Sequence, residues 1–201
     1  RTAYFGKWHV ERSNDLSRFG WDHQLREDYR EWRRERGFGD PPEPDVLRTV
    51  SRPGYRDQII YGVADDPGDA SRTAHIFSRG AEYLEEQLAG GEPWCLFIST
   101  NDPHDPYIAP REFYDLYDPD EIPRPANFDD DLSGKPNVLK RMQRCWDELT
   151  WEDFAQARCC FYATCSMIDA QVGRVLDALE RTGQADNTII VYLTDHGDMV
   201  G

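Results

Sequence analysis

Thr188-Ile189-Ile190-Val191-Tyr192-Leu193-Thr194, followed at once by Asp195-His196-Gly197-Asp198, is the stretch on which the fold turns. A short continuous run of β-branched, aliphatic and aromatic residues predicts a strand buried on both faces. The carboxylate and imidazole then stand where that strand ends, and Gly197 lets the chain bend away. In open α/β sheets ligands bind outside the carboxyl ends of the strands. An aspartate beside a histidine suits a divalent cation or a phosphate-like oxyanion. Calcium and magnesium favour oxygen ligands, so on residue type alone manganese or zinc stays open. The plainer alternative is a helix N-cap aspartate next to an ordinary histidine.

Two other runs read the same way. Thr2 to Phe5 leads into Gly6-Lys7-Trp8-His9, and Trp94 to Thr100 leads into Asn101-Asp102-Pro103-His104. Between the runs lie two helical patterns. Ser71 to Leu88 puts Phe77, Ala81, Leu84 and Leu88 on one stripe, with Gly90-Gly91 to stop it. Thr150 with Asp153 resembles a capping box, and Gly183 closes the far end of a long helix. Within it Phe154, Phe161, Cys165, Ile168, Val172, Val175 and Leu179 recur mostly at spacings of three and four. Helix followed by strand, twice, predicts an α/β fold with a mostly parallel central sheet flanked by helices.

The remainder reads as irregular. Arg26 to Arg36 suggests a short surface helix, while Gly37 to Pro53 and Pro103 to Pro136 read as long loops of functional type. With no internal repeat and no low-complexity linker, residues 1–201 read as part of a single domain. The chain lacks an initiator Met, and Arg1 runs directly into the first strand pattern. Both ends are therefore expected to be cut from a longer chain.

The net charge of −15 argues against a nucleic-acid partner, because phosphate backbones need a basic face. It reads as a solvated acidic surface. No apolar run approaches the roughly 20 residues of a membrane span. The five cysteines, Cys95, Cys145, Cys159, Cys160 and Cys165, have no metal-ligand spacing. They read as reduced core residues, a lean toward a reducing compartment that leaves localisation open.

Lys7 can hold an anionic oxygen and His9 can move a proton near neutral pH; a surface lysine and a structural histidine explain the same four residues equally well. Two prolines flank His104 and fix the backbone around it, as a proline-shaped turn with a satisfied histidine also would. Taken together the motifs are more specific. Gly6-Lys7-Trp8-His9, Pro103-His104-Asp105-Pro106-Tyr107 with Phe113 to Pro119, and Tyr162 through Asp186-Asn187-Thr188 to Asp195-His196-Gly197-Asp198 resemble the type I sulfatases of the alkaline phosphatase superfamily. The phosphonate monoester hydrolases are close relatives of these. The resemblance covers the two ends and the centre of the chain; residues 10–70 and 120–150 would be substrate-shaping insertions.

The resemblance implies hydrolysis of a small-molecule or carbohydrate sulfate ester. Lys7 would bind a sulfate oxygen, His9 would sit beside the nucleophile, and His104 would contact sulfate and serve as acid for the leaving alcohol. Asp195 and His196 would be ligands of a divalent metal, calcium ahead of manganese. His196 in that pair looks more like the phosphonate hydrolase and choline sulfatase branches than the branch with asparagine there. The family nucleophile is a formylglycine matured from a C/S-x-P-S/A-R motif. No cysteine here has that context, so the formylglycine, further metal-binding aspartates and a late lysine are expected outside these residues. The 201 residues alone would then be inactive. The alternatives are a phosphonate monoester or phosphodiester hydrolase of the same fold, and a non-catalytic binding protein that keeps the fold.

Overall fold

The computed structural model describes residues 1–201 except 14, 53–55, 89 and 201, and except the side chains of 87 and 88. Along the chain run β1 (Thr2–Gly6), β2 (His23–Gln24), α1 (Tyr29–Glu35), β3 (Asp45–Val50), β4 (Gln58–Ala64), α2 (Arg72–Tyr83), β5 (Cys95–Ser99), β6 (Tyr107–Pro110), α3 (Arg111–Tyr114), α4 (Asn137–Cys145) and α5 (Trp151–Arg181). The chain divides into two compact units. One comprises residues 1–42, 66–102 and 166–195; the other comprises 43–65, 103–165 and 196–201.

The first unit is built on a parallel sheet in the order β2-β1-β5. Ala3, Tyr4 and Phe5 of β1 are all buried, which is what a strand covered on both faces shows. Over the sheet lies α2, started by the Ser71 hydroxyl, which accepts the Ala74 N–H at 3.0 Å. Phe77, Ala81 and Leu84 form the expected buried stripe; Leu88, which completes it in sequence, has its side chain outside the described residues. Gly80 marks the closest approach, since a Cβ there would come within 2.6 Å of Ile98 Cδ1. Ala81 and Leu84 also join Ala178 and Leu179 from the last turns of α5.

The segment expected as a short surface helix is α1; it exposes Arg30, Glu31, Arg34 and Glu35 and buries Trp32 and Arg33 on its inner face. A buried guanidinium needs every donor matched. Arg33 meets this with paired bonds to Asp66 at 2.6 and 3.0 Å and with the carbonyls of Gly39 and Ala70 at 2.8 and 2.7 Å.

In the second unit β4 pairs antiparallel with β3 and parallel with β6. Val50, Ile60, Tyr61, Val63, Tyr107 and Ala109 make one core with Leu149 and the first half of α5. The deepest α5 positions are the small residues Ala157, Cys160 and Ala163, with Phe154 and Phe161 packed at the margin. The capping box is present. Thr150 N–H donates to Asp153 Oδ2 at 2.9 Å, and Asp153 N–H reaches back to the Thr150 hydroxyl at 3.4 Å. At the far end Gly183 takes the left-handed conformation, φ 68°.

Three readings of the sequence are corrected. Residues 188–194 form no strand; Ile189, Ile190, Val191, Tyr192 and Leu193 are 58–93% exposed. A strand needs a ladder partner, and none of the described residues supplies one. Residues 45–64, read as irregular, contain β3 and β4, and the loop read from Pro103 to Pro136 contains β6 and α3, because ladder pairing of these strands overrides the prolines nearby. Cys95 and Cys145 are exposed rather than core, since β5 lies at the edge of its sheet and α4 has no buried residue. Cys159 and Cys160 are buried as expected, and burial pushes their thiols up to about 11 and about 12. All five cysteines are free.

Candidate active site

Lys7 and His9 belong to the first unit, and the backbone explains their placement. At the end of β1 Gly6 adopts φ +100°, and a Cβ there would lie 1.7 Å from the Ser99 carbonyl oxygen. Only glycine fits. The hook brings the Lys7 N–H onto that same oxygen at 3.0 Å, and the Tyr4 hydroxyl donates to the Lys7 carbonyl. Tyr4 is itself fixed, stacked on Phe97 at 4.9 Å and edge-on to Trp8 at 5.3 Å. Lys7 is thus a half-buried lysine held at the carboxyl end of the central strand, and His9 beyond it is exposed.

Where β5 ends, the Thr73 hydroxyl on α2 donates to the carboxylate of Asp102 and lies 2.6 Å from that of Thr100. Burial pushes the Asp102 carboxyl above its ordinary range, against the lowering effect of the Thr73 bond. Motif reading alone gave this residue no role.

His104 belongs to the second unit. Its Nδ1 lies 2.8 Å from the Asp105 carbonyl oxygen and 2.7 Å from Asp105 Oδ1. With Nδ1 turned onto these acceptors as a donor, Nε2 is the ring nitrogen that faces away from Asp105. Asp105 is in turn held by Gln58 Nε2 at 3.2 Å.

The structure brings His196 to His104: their rings are 6.3 Å apart and inclined at 74°. The Tyr107 hydroxyl donates to Asp198 Oδ2 at 2.5 Å. The buried Val200 enters the core of this unit, and its carbonyl accepts Arg158 Nε at 2.8 Å. So the predicted residues group as Lys7 with His9, and His104 with His196, while Asp195 is the last residue assigned to the first unit. Among the described residues no group of three or more His, Cys, Asp or Glu side chains could hold a metal ion. Asp195 and His196 offer a chemically suitable pair of donors, but two ligands do not complete a divalent-cation site. The residues that pattern reading missed are the supports, Tyr4, Asp105, Tyr107 and Asp198. Asp198 sits 91 residues from its tyrosine, which no local signal reveals.

The family model described as Sulfatase matches residues 1–201. The choline-sulfatase of Rhizobium meliloti (strain 1021) is 37% identical over 113 residues, covering 54% of this chain and 22% of the relative. The arylsulfatase of Clostridium perfringens (strain 13 / Type A) is 28% identical over 187 residues, covering 87% and 35%. The chain thus spans about a fifth to a third of the length of these relatives. Among solved structures, the phosphonate monoester hydrolase SpPMH from Silicibacter pomeroyi superposes with a TM-score of 0.62 at 20% identity, covering 92% of this chain and 42% of that one. That likeness concerns the fold.

Proposed function

We propose, from the premise that this chain belongs to the sulfatase family, that the protein hydrolyses sulfate esters of small molecules or carbohydrates. The family match over residues 1–201 carries the proposal. A sulfuryl group in transfer spreads negative charge over its oxygens, so fixed cationic and hydrogen-bonding groups do most of the work. In this reading Lys7 receives one such oxygen; its backbone is set by the Gly6 hook and the Ser99 carbonyl. His104 gives the leaving alcohol a proton from Nε2, while the Asp105 carboxylate on the other side of the ring supports the imidazolium. His9 takes the proton of the nucleophile's hydroxyl as the ester intermediate breaks down.

The nucleophile is proposed to be a formylglycine outside these 201 residues. Asp195 and His196 are proposed as two of the ligands of a divalent cation, calcium ahead of manganese. Such an ion would add positive charge beside the sulfate oxygens; among the described residues the pair does not belong to any group of three or more such donors.

The same residues would serve a phosphonate ester, whose tetrahedral oxygens are arranged alike, and the fold likeness to a phosphonate hydrolase keeps that reading in play. Side-by-side turnover of an aryl sulfate and an aryl phosphonate monoester by the whole protein separates them. Preference for sulfate is the expected result. Preference for phosphonate moves the assignment to the related hydrolases, and silence on both favours a binding protein.

A further inference from the structure

The two histidine motifs of the second unit, 104–107 and 196–200, are distant in sequence, and one tyrosine joins them. Tyr107 opens β6 three residues after His104, and its backbone is fixed by pairing with Tyr61 in the parallel ladder. Its ring is buried and edge-on to Phe161 at 5.9 Å and 82°. The hydroxyl therefore has one place to go, and there it meets Asp198 Oδ2 at 2.5 Å. The other oxygen of that carboxylate accepts the Val200 N–H at 3.4 Å, and Val200 is anchored by the core and by Arg158. A hydroxyl donating to a carboxylate is among the stronger hydrogen bonds. Buried packing fixes one partner and a chain anchored two residues on holds the other.

We infer that Tyr107 and Asp198 form a clasp that holds His196 against His104, which makes them positioning residues for the site. The catalytic consequence rests on the sulfatase reading above; the geometry of the clasp does not. Neither side chain need touch the substrate. What the clasp sets is the spacing of the two imidazoles, and a displacement of about 1 Å in such a group can cost on the order of a hundredfold in rate.

Tyr107→Phe in the whole protein keeps the ring and deletes the donor. The expected result is a fall in kcat of about ten- to a hundredfold with KM changed by less than about threefold, accompanied by shifts of both the His104 and His196 imidazole NMR signals. Asp198→Asn should give the same split, and the double variant should lose no more than the worse single one. Unmoved imidazole signals in both variants, or losses that multiply in the double variant, would overturn the clasp. If the wild-type protein turns over no ester but Tyr107→Phe still moves both imidazole signals, the functional reading fails and the clasp stands. Asp198, being exposed, can be changed without emptying the core, so the test survives even if Tyr107→Phe does not fold.

Discussion

β1 and residues 188–194 draw on the same alphabet of threonine, aromatic and apolar residues, yet they end in opposite surroundings within one unit. β1 has a parallel neighbour on each side, buries Ala3, Tyr4 and Phe5 and hands its last residue to a glycine hook that seats Lys7. The later run has no ladder among the described residues and exposes its side chains. Strand-forming residues state a preference for a pleated, packed environment, and the partner strand decides whether it is met. Chemistry follows the same division: Lys7 leaves a strand paired on both sides and is braced by Ser99 and Tyr4, while Asp195 follows a run that joins no ladder among the described residues.

The widest gap between the two regions should come from truncating one side chain in each. Phe5→Ala should cost about 3–5 kcal/mol, the usual range for emptying an aromatic from a core, read as the midpoint shift in denaturant. Next in size, Gly6→Ala forces a strained φ and a clash with the Ser99 carbonyl. A loss of about 3 kcal/mol is expected, and wild-type stability would show that the hook opens without cost.

A third probe acts on the charged frame around β1 through Glu27, which accepts Arg79 Nε at 2.6 Å and faces His75 Nε2 at 3.0 Å. Arg79 and then His75 hold its carboxyl below the ordinary glutamate range despite burial. A carboxylate with a lowered folded-state pKa contributes stability that is full above its unfolded value, about 4.3, and is lost as pH falls through the folded value. Glu27→Gln should therefore lower Tm near pH 7, and the loss should shrink as pH falls below about 4.3; a loss that stays constant as pH falls would assign the effect to packing. Smallest of all, Ile190→Ser should shift the stability of this chain by no more than about 0.5 kcal/mol, as exposed positions do. A cost near that of Phe5→Ala would show the run to be packed and erase the contrast.

What was legible in the sequence was local. The stripe of Phe77, Ala81 and Leu84, the Thr150 and Asp153 cap, and Gly183 act within a few turns, so α2 and α5 could be read, and β1 and β5 announced themselves by apolar runs ending in chemistry. The parallel α/β class followed from these elements. β3 and β4 were hidden because their stability lies in their mutual ladder and in the α5 face of Ala157, Cys160 and Ala163, none of it adjacent in sequence. The run at 188–194 was misread for the converse reason, its composition promising a strand whose partner had to come from elsewhere. Of the site, the chemically able residues were visible as motifs. Their supports were not, since Tyr4 acts through a carbonyl and Tyr107 through an aspartate far along the chain.

The central claim, that Lys7 and His104 act on a sulfate ester, is met most directly by aryl sulfate kcat/KM of the whole protein as wild type, Lys7→Ala and His104→Ala, with Tm measured alongside. The account predicts that each substitution lowers kcat/KM by about a hundredfold or more, the scale of losing one charge-stabilising or proton-donating group, with Tm nearly unchanged. Turnover at the wild-type level in both variants would contradict it.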